Sequence, residues 1–116
     1  MNTTMPTIGV ISGGGNIPFE VAPYQSRVTI SSQNCYLFND NGTAKAHVEL
    51  NCTAAGTISA NNALLKNFPL QANIPQSLTL GGISYTIEAA SNETYMKKAT
   101  STASGQAFAF NFDYEI

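Results

Sequence analysis

The side chains able to do chemistry in this sequence are one histidine, two cysteines and seven carboxylates, and their spacing builds no reactive set. A serine-nucleophile triad needs Ser and carboxylate partners for the histidine, and the Gly-x-Ser-x-Gly elbow is missing. Glycoside hydrolysis needs two carboxylates flanking a sugar. Glu20, Asp40, Glu49, Glu88, Glu93, Asp113 and Glu115 are available, and none sits in a distinctive sequence setting. His47 alternates with Val48 on a stretch whose other parity is apolar, so it is expected to point to solvent. Asp113 and Glu115 share one parity and read as outward, solubilising charge. Asp40, in Asn39-Asp40-Asn41-Gly42, has the beginning of a calcium loop without its downstream ligands, and turn chemistry accounts for it.

Cys35 and Cys52 are too few for a zinc site. A two-residue Asn41-Gly42 loop sets Cys35 opposite Val48, which leaves Cys52 about 13 Å away along the strand, beyond disulfide reach. A three-residue loop sets the two on opposite faces. A bulge would bring them back within reach; the spacing favours two buried thiols. No cofactor and no metal are expected, and the chain reads as non-enzymatic.

Composition points away from several partners. Charged residues make up 10% of the chain, against about 25% in ordinary globular proteins. Asn, Thr, Ser, Gln and Gly take their place, a surface suited to a particle component, a glycan-binding face or a secreted domain. The net charge is -2 and the five Lys and Arg form no run, which argues against nucleic acid as a partner. No stretch approaches the ~20 apolar residues of a membrane-spanning helix, so no membrane insertion is expected. Met1 to Pro6 lacks a basic and then apolar leader: either export by that route is not used, or a signal was removed and Met1 added. Asn-x-Ser/Thr occurs at Asn2, Asn41, Asn51 and Asn92, weak support for glycosylation in a chain so rich in these residues.

The elements that must position these residues are strands. In Ala107 to Ile116, Phe108, Phe110, Phe112, Tyr114 and Ile116 share one parity, while Ala107, Ala109, Asn111, Asp113 and Glu115 share the other. This is a strand with one aromatic face. Burying its three Phe is worth about 5–9 kcal/mol before entropy, so the strand is expected to be internal, with neighbours on both edges. Asn41-Gly42 marks a hairpin, followed by Ala44, Ala46, Val48, Leu50 and Cys52 in alternation. The strand before it changes parity, so a bulge is expected near Ser31-Ser32. Gly81-Gly82 marks a second hairpin, with Leu80 facing Ile83 and Leu78 facing Tyr85. Between the hairpins a short strand is expected near Ala63–Lys66, then a crossing loop bounded by Pro69 and Pro75. Ser91 to Thr94 reads as a turn and Tyr95 to Thr100 as a strand. The whole predicts an all-β fold, an antiparallel β-sandwich or small barrel of about seven or eight strands over residues 27–116. Residues 1–26, with Gly13-Gly14-Gly15, Pro18 and Pro23, read as an extended arm: either a disordered leader, or, as the apolar runs Ile8–Ile11 and Ile17–Phe19 favour, an arm that ties the domain to a partner or a neighbouring copy.

Two families share parts of this layout. Gly13-Gly14-Gly15, Asn41-Gly42, Ala44 to Leu50, Phe68-Pro69 to Pro75 and Phe108 to Tyr114 resemble the plan of bacteriophage tail-fibre and receptor-binding head domains. That resemblance implies a trimeric sandwich on the virion surface that binds host-surface saccharide, or a capsid-decorating domain; its other partners would be virion proteins, met through the arm. Gly105, Phe108, Phe110, Phe112 and Tyr114 are similar to the closing strand of chaperone–usher pilins, which implies a bacterial cell-surface subunit instead. Tyr114 is third from the end and no early alternating donor strand is evident, so the pilin ranks second. Amide and hydroxyl groups bond sugar hydroxyls in either direction, and low net charge suits a neutral ligand. With no Trp present, the aromatic platform for a sugar falls to Tyr24, Tyr36 or Tyr95. Tyr36 also reads as a core position, which leaves Tyr24 and Tyr95 as the ligand-binding candidates.

Overall fold

The computed structural model describes residues 16–70, 74–90 and 92–116. Strands β1 (Ile17–Pro18), β2 (Ala22–Pro23), β3 (Val28–Gln33), β4 (Tyr36–Asp40), β5 (Thr43–Ala54), β6 (Ala63–Lys66), β7 (Gln76–Leu80), β8 (Ile83–Ala90), β9 (Glu93–Lys98) and β10 (Ala107–Glu115) follow one another, with no helix among the described residues. They form two antiparallel sheets packed as a β-sandwich. One runs β1-β4-β5-β10, with β3 also pairing β5; the other runs β2-β6-β9-β8-β7.

β5 is the spine of the first sheet. Ala44, Ala46, Val48, Leu50, Cys52 and Ala54 are all buried, one per alternate position. β10 covers one side of it in unbroken register, setting Phe110 against Leu50, Phe112 against Val48 and Tyr114 against Ala46. Large rings on one strand thus meet small or branched side chains on the next, which fills the space without overpacking. β4 and β3 share the other side, β4 along Thr43 to His47 and β3 along Leu50 to Ala54. The sheets meet through contacts such as Tyr85 on Phe110, edge to face at 5.3 Å. Tyr114 also donates its hydroxyl hydrogen to the Pro69 carbonyl, 2.8 Å away in the buried interior, so the crossing loop is tied to the terminal strand.

Both hairpins form in the expected register: Asp40 pairs with Thr43, and Leu80 with Ile83. Asn41 and Gly42 take φ of 54° and 90°, the left-handed pair of a tight two-residue loop. The bulge falls between Ile30 and Ser32, and the short strand at Ala63–Lys66 is present. β9 starts two residues before Tyr95, because Asn92 takes a positive φ of 65° and Ala90 pairs with Glu93. Cys35 and Cys52 are buried free thiols; burial raises the pKa of Cys35 and, helped by Cys35 nearby, lifts that of Cys52 to about 11.

Two expectations need correction. The terminal strand is not internal: among the described residues β10 pairs with β5 alone and forms a sheet edge. Its aromatic face is buried by the opposite sheet rather than by a second lateral neighbour, and alternation of side chains carries no information about the strand's edges. The second concerns residues 1–26. Residues 1–15 lie outside the described residues, but Ile17–Pro18 pairs with β4 and Ala22–Pro23 with β6, so the sandwich takes in residues expected to be arm and has ten strands among the described residues. Val21, between those two pairings, is 2% exposed. Its N–H donates to the Gln33 Oε1 at 2.8 Å and its carbonyl accepts from Gln33 Nε2 at 2.9 Å. One side-chain amide thus replaces the ladder where the chain steps from one sheet to the other.

This packing sets a mutational contrast on β10. Phe110→Ala should cost about 3–5 kcal/mol, the range for truncating a buried aromatic. Glu115→Ala, on the exposed parity, should stay within about 0.5 kcal/mol. Urea unfolding of the two variants checks it, and equal losses would refute the parity.

Candidate functional site

Tyr24 and Tyr95 come together although 71 positions separate them. Tyr95 lies on the outer parity of β9, between Lys66 of β6 and Glu88 of β8. Tyr24 follows β2, whose pairing with β6 is extended by a hydrogen bond from the Tyr24 N–H to the Leu64 carbonyl at 2.9 Å. The rings stand edge to face with centroids 5.7 Å apart, and Tyr24 is 43% exposed. They line an open cleft of about 540 Å³ with Gln25, Asn61, Asn62 and Lys97. Gln25 donates to the Ala63 carbonyl at 2.7 Å, and the Asn61 N–H donates to the Lys98 carbonyl at 2.8 Å, so both are held by backbone. Asn61 takes a φ of 64°, a conformation that Asn adopts more readily than most residues.

The charges around the cleft are paired. Lys97 Nζ lies 2.7 Å from Glu88 and 5.4 Å from the centre of the Tyr95 ring. Lys66 Nζ lies 3.6 Å from Glu93. The hydrogen bond to Glu88 is the main cause that raises the Lys97 pKa. The cleft therefore presents an edge-to-face pair of tyrosines and several amides among paired charges. Such a surface can stack on the apolar face of a ring and exchange hydrogen bonds with hydroxyl groups.

Tyr36 lies on the other sheet. It stacks on His47 with centroids 4.8 Å apart and meets Phe38 edge to face at 5.8 Å. His47 is on the outer face of β5, as its parity requires, but it is largely covered and held on both nitrogens. Nδ1 is 2.6 Å from Asp113 and Nε2 is 3.2 Å from Glu49. Asp113, expected as an outward solubilising charge, and Glu49, which had no distinctive sequence setting, thus share one histidine. The β5–β10 register, which sets Asp113 opposite His47, creates this cluster. That register is a pairing across 66 residues, and no local signal announces it. The imidazole sits between its carboxylates, so the three do not converge on one point. Among the described residues no group of three His, Cys, Asp or Glu is placed to hold a metal ion. The turn bond expected of Asp40 is made by Asn39, whose Oδ1 accepts the Gly42 N–H at 2.7 Å, while Asp40 pairs with Lys45 at 2.8 Å.

No protein-family model, curated protein or solved structure matches this chain.

Burial opposes the charged form of His47, but the hydrogen bonds that its ring nitrogens donate to Asp113 and Glu49 outweigh it and raise the pKa above 6.5. A raised folded pKa means a stabilising contribution that is complete below the unfolded value and is lost as pH rises through the folded one. Stability should therefore fall as pH rises above about 6.5, by an amount that His47→Gln removes. Denaturation midpoints across that range in both proteins check it; an unchanged slope in the variant would contradict it.

Proposed function

We propose that this chain is a non-enzymatic binding and structural domain of a bacteriophage particle, a tail-fibre head or capsid-decorating domain, that engages saccharide of the host surface in the Tyr24–Tyr95 cleft. The observation that carries the reading is the convergence of the two tyrosines with Gln25, Asn61 and Asn62 on one exposed face. Aromatic rings offer a flat apolar contact of low conformational cost, and a phenol adds one polar handle. The amides supply donors and acceptors in the same small area. Recognition here would be shallow and selective through several weak contacts, as suits a particle that displays many copies.

The open edge of β10 favours a second reading, a chaperone–usher pilin subunit. A pilin of that kind requires a donor strand from another subunit, and an edge strand with an aromatic inner face is the kind of surface such a strand would complete.

Screening the protein against an array of neutral and acidic glycans tests the first reading. Tyr24→Ala and Tyr95→Ala should each weaken the best binder at least about tenfold, the effect of losing about 1.4 kcal/mol of stacking, while Tyr36→Ala leaves it unchanged. Absence of any binder, or equal losses in all three variants, would contradict it.

A further inference from the structure

We infer that the open edge of β10 docks the β10 of a second copy of this chain, the two strands running antiparallel about a two-fold axis at Asn111. The main-chain geometry prepares the edge. Ala54 N–H donates to the Gln106 carbonyl at 2.9 Å, and the Ile116 N–H donates to the Ala44 carbonyl at 3.1 Å. Hydrogen-bonded pairs in an antiparallel ladder recur at every second residue. Phe108, Phe110, Phe112 and Tyr114 therefore turn their backbone groups toward β5, and Ala107, Ala109, Asn111, Asp113 and Glu115 turn theirs outward. No strand among the described residues pairs with that outer side.

Among the described residues β1, β2, β3 and β7 are edges as well, and each carries a guard that β10 lacks; β3 pairs with β5 alone and its register is broken by the bulge between Ile30 and Ser32. β1 contains Pro18 and β2 contains Pro23, residues that cannot donate to an added ladder. β7 is only five residues long. β10 has nine residues, no proline, no lysine and no break in its register. Its only protection is Asp113 and Glu115, and Asp113 is already engaged by His47.

The sequence of β10 is complementary to itself in one register. With Asn111 opposite its own copy, all of Ala107 to Glu115 pairs. Each Asp113 then faces an Ala109 and each Glu115 faces an Ala107, so no like charges oppose. The backbone groups that meet are the outward ones on both strands. On the inner face Phe110 faces Phe112, and Phe108, now half-exposed at the edge, is covered by the second copy's Tyr114. Moving the axis to Asp113 would set two carboxylates against each other. The partner is thus a second copy, and the assembly is a dimer with one continuous sheet, where the tail-fibre resemblance implies a trimer.

Sedimentation equilibrium of the full chain tests this, with three variants. Ala109 is exposed, so its replacement should leave the fold intact by circular dichroism. Ala109→Asp sets like charges opposite each other twice per dimer and should weaken association about tenfold. Ala109→Lys sets attraction in the same places and should hold the dimer at least as tightly as the parent. Asn111→Pro removes an outward N–H without touching the β5 ladder and should give a folded monomer; if it fails to fold, the opposite signs at Ala109 decide. A parent that is monomeric or trimeric would overturn the inference. So would a dimer that ignores Ala109→Asp, or one that ignores it and is lost when residues 1–15 are removed, which would make that segment the occupant.

Discussion

The structure depends on the pairing of β5 with β10. β5 presents an inner face built largely of alanine, valine and a thiol, too thin to fill a sandwich by itself. β10 supplies Phe110, Phe112 and Tyr114 beside it in strict register. Each buried aromatic contributes a large apolar area, and a slip of one residue would turn that whole face to solvent. The register then fixes much else. It places Tyr114 where its hydroxyl reaches Pro69, Phe110 where it meets Tyr85 of the opposite sheet, and Asp113 where it meets His47.

What the sequence made legible was local. The Asn41-Gly42 and Gly81-Gly82 hairpins, the bulge after Ile30 and the strand at Ala63–Lys66 follow from turn chemistry and alternation within a few residues. Alternation also identified the buried faces of β5 and β10, because the period of a strand is a backbone property. Lateral neighbours were not legible, since pleating says which way a side chain points and nothing about what lies beside the backbone. That is why β10 read as internal and is an edge among the described residues. Residues 17–23 were hidden for a related reason. Two-residue pairings that each end in a proline carry no period, and the amide that anchors Val21 comes from Gln33, twelve positions on.

The candidate site shows the same division. Tyr24 and Tyr95 were singled out by residue type alone, as aromatics without a core role. Their meeting depends on β2 joining β6, and β6 joining β9, which no local pattern encodes. The sheet holds the platform from beneath: Met96 and Lys98, the inward neighbours of Tyr95 and Lys97 on β9, are buried. Lys98 is satisfied by the Thr102 hydroxyl at 3.0 Å and the Ser101 carbonyl at 3.3 Å. The outer face of β9 is thus displayed by a strand whose inner face is fixed in the core, and a rigid shallow surface of this kind loses little freedom on contacting a ligand.

The claim that this surface is the binding face is tested most directly by titrating isotope-labelled protein with the saccharide mixture of a host surface and mapping the amide shifts. Perturbations should centre on Tyr24, Gln25, Asn61, Asn62 and Tyr95, fade across β8 and spare the His47 face of the other sheet. Perturbations centred on Tyr36 and His47, or none at all at saturating saccharide, would contradict it.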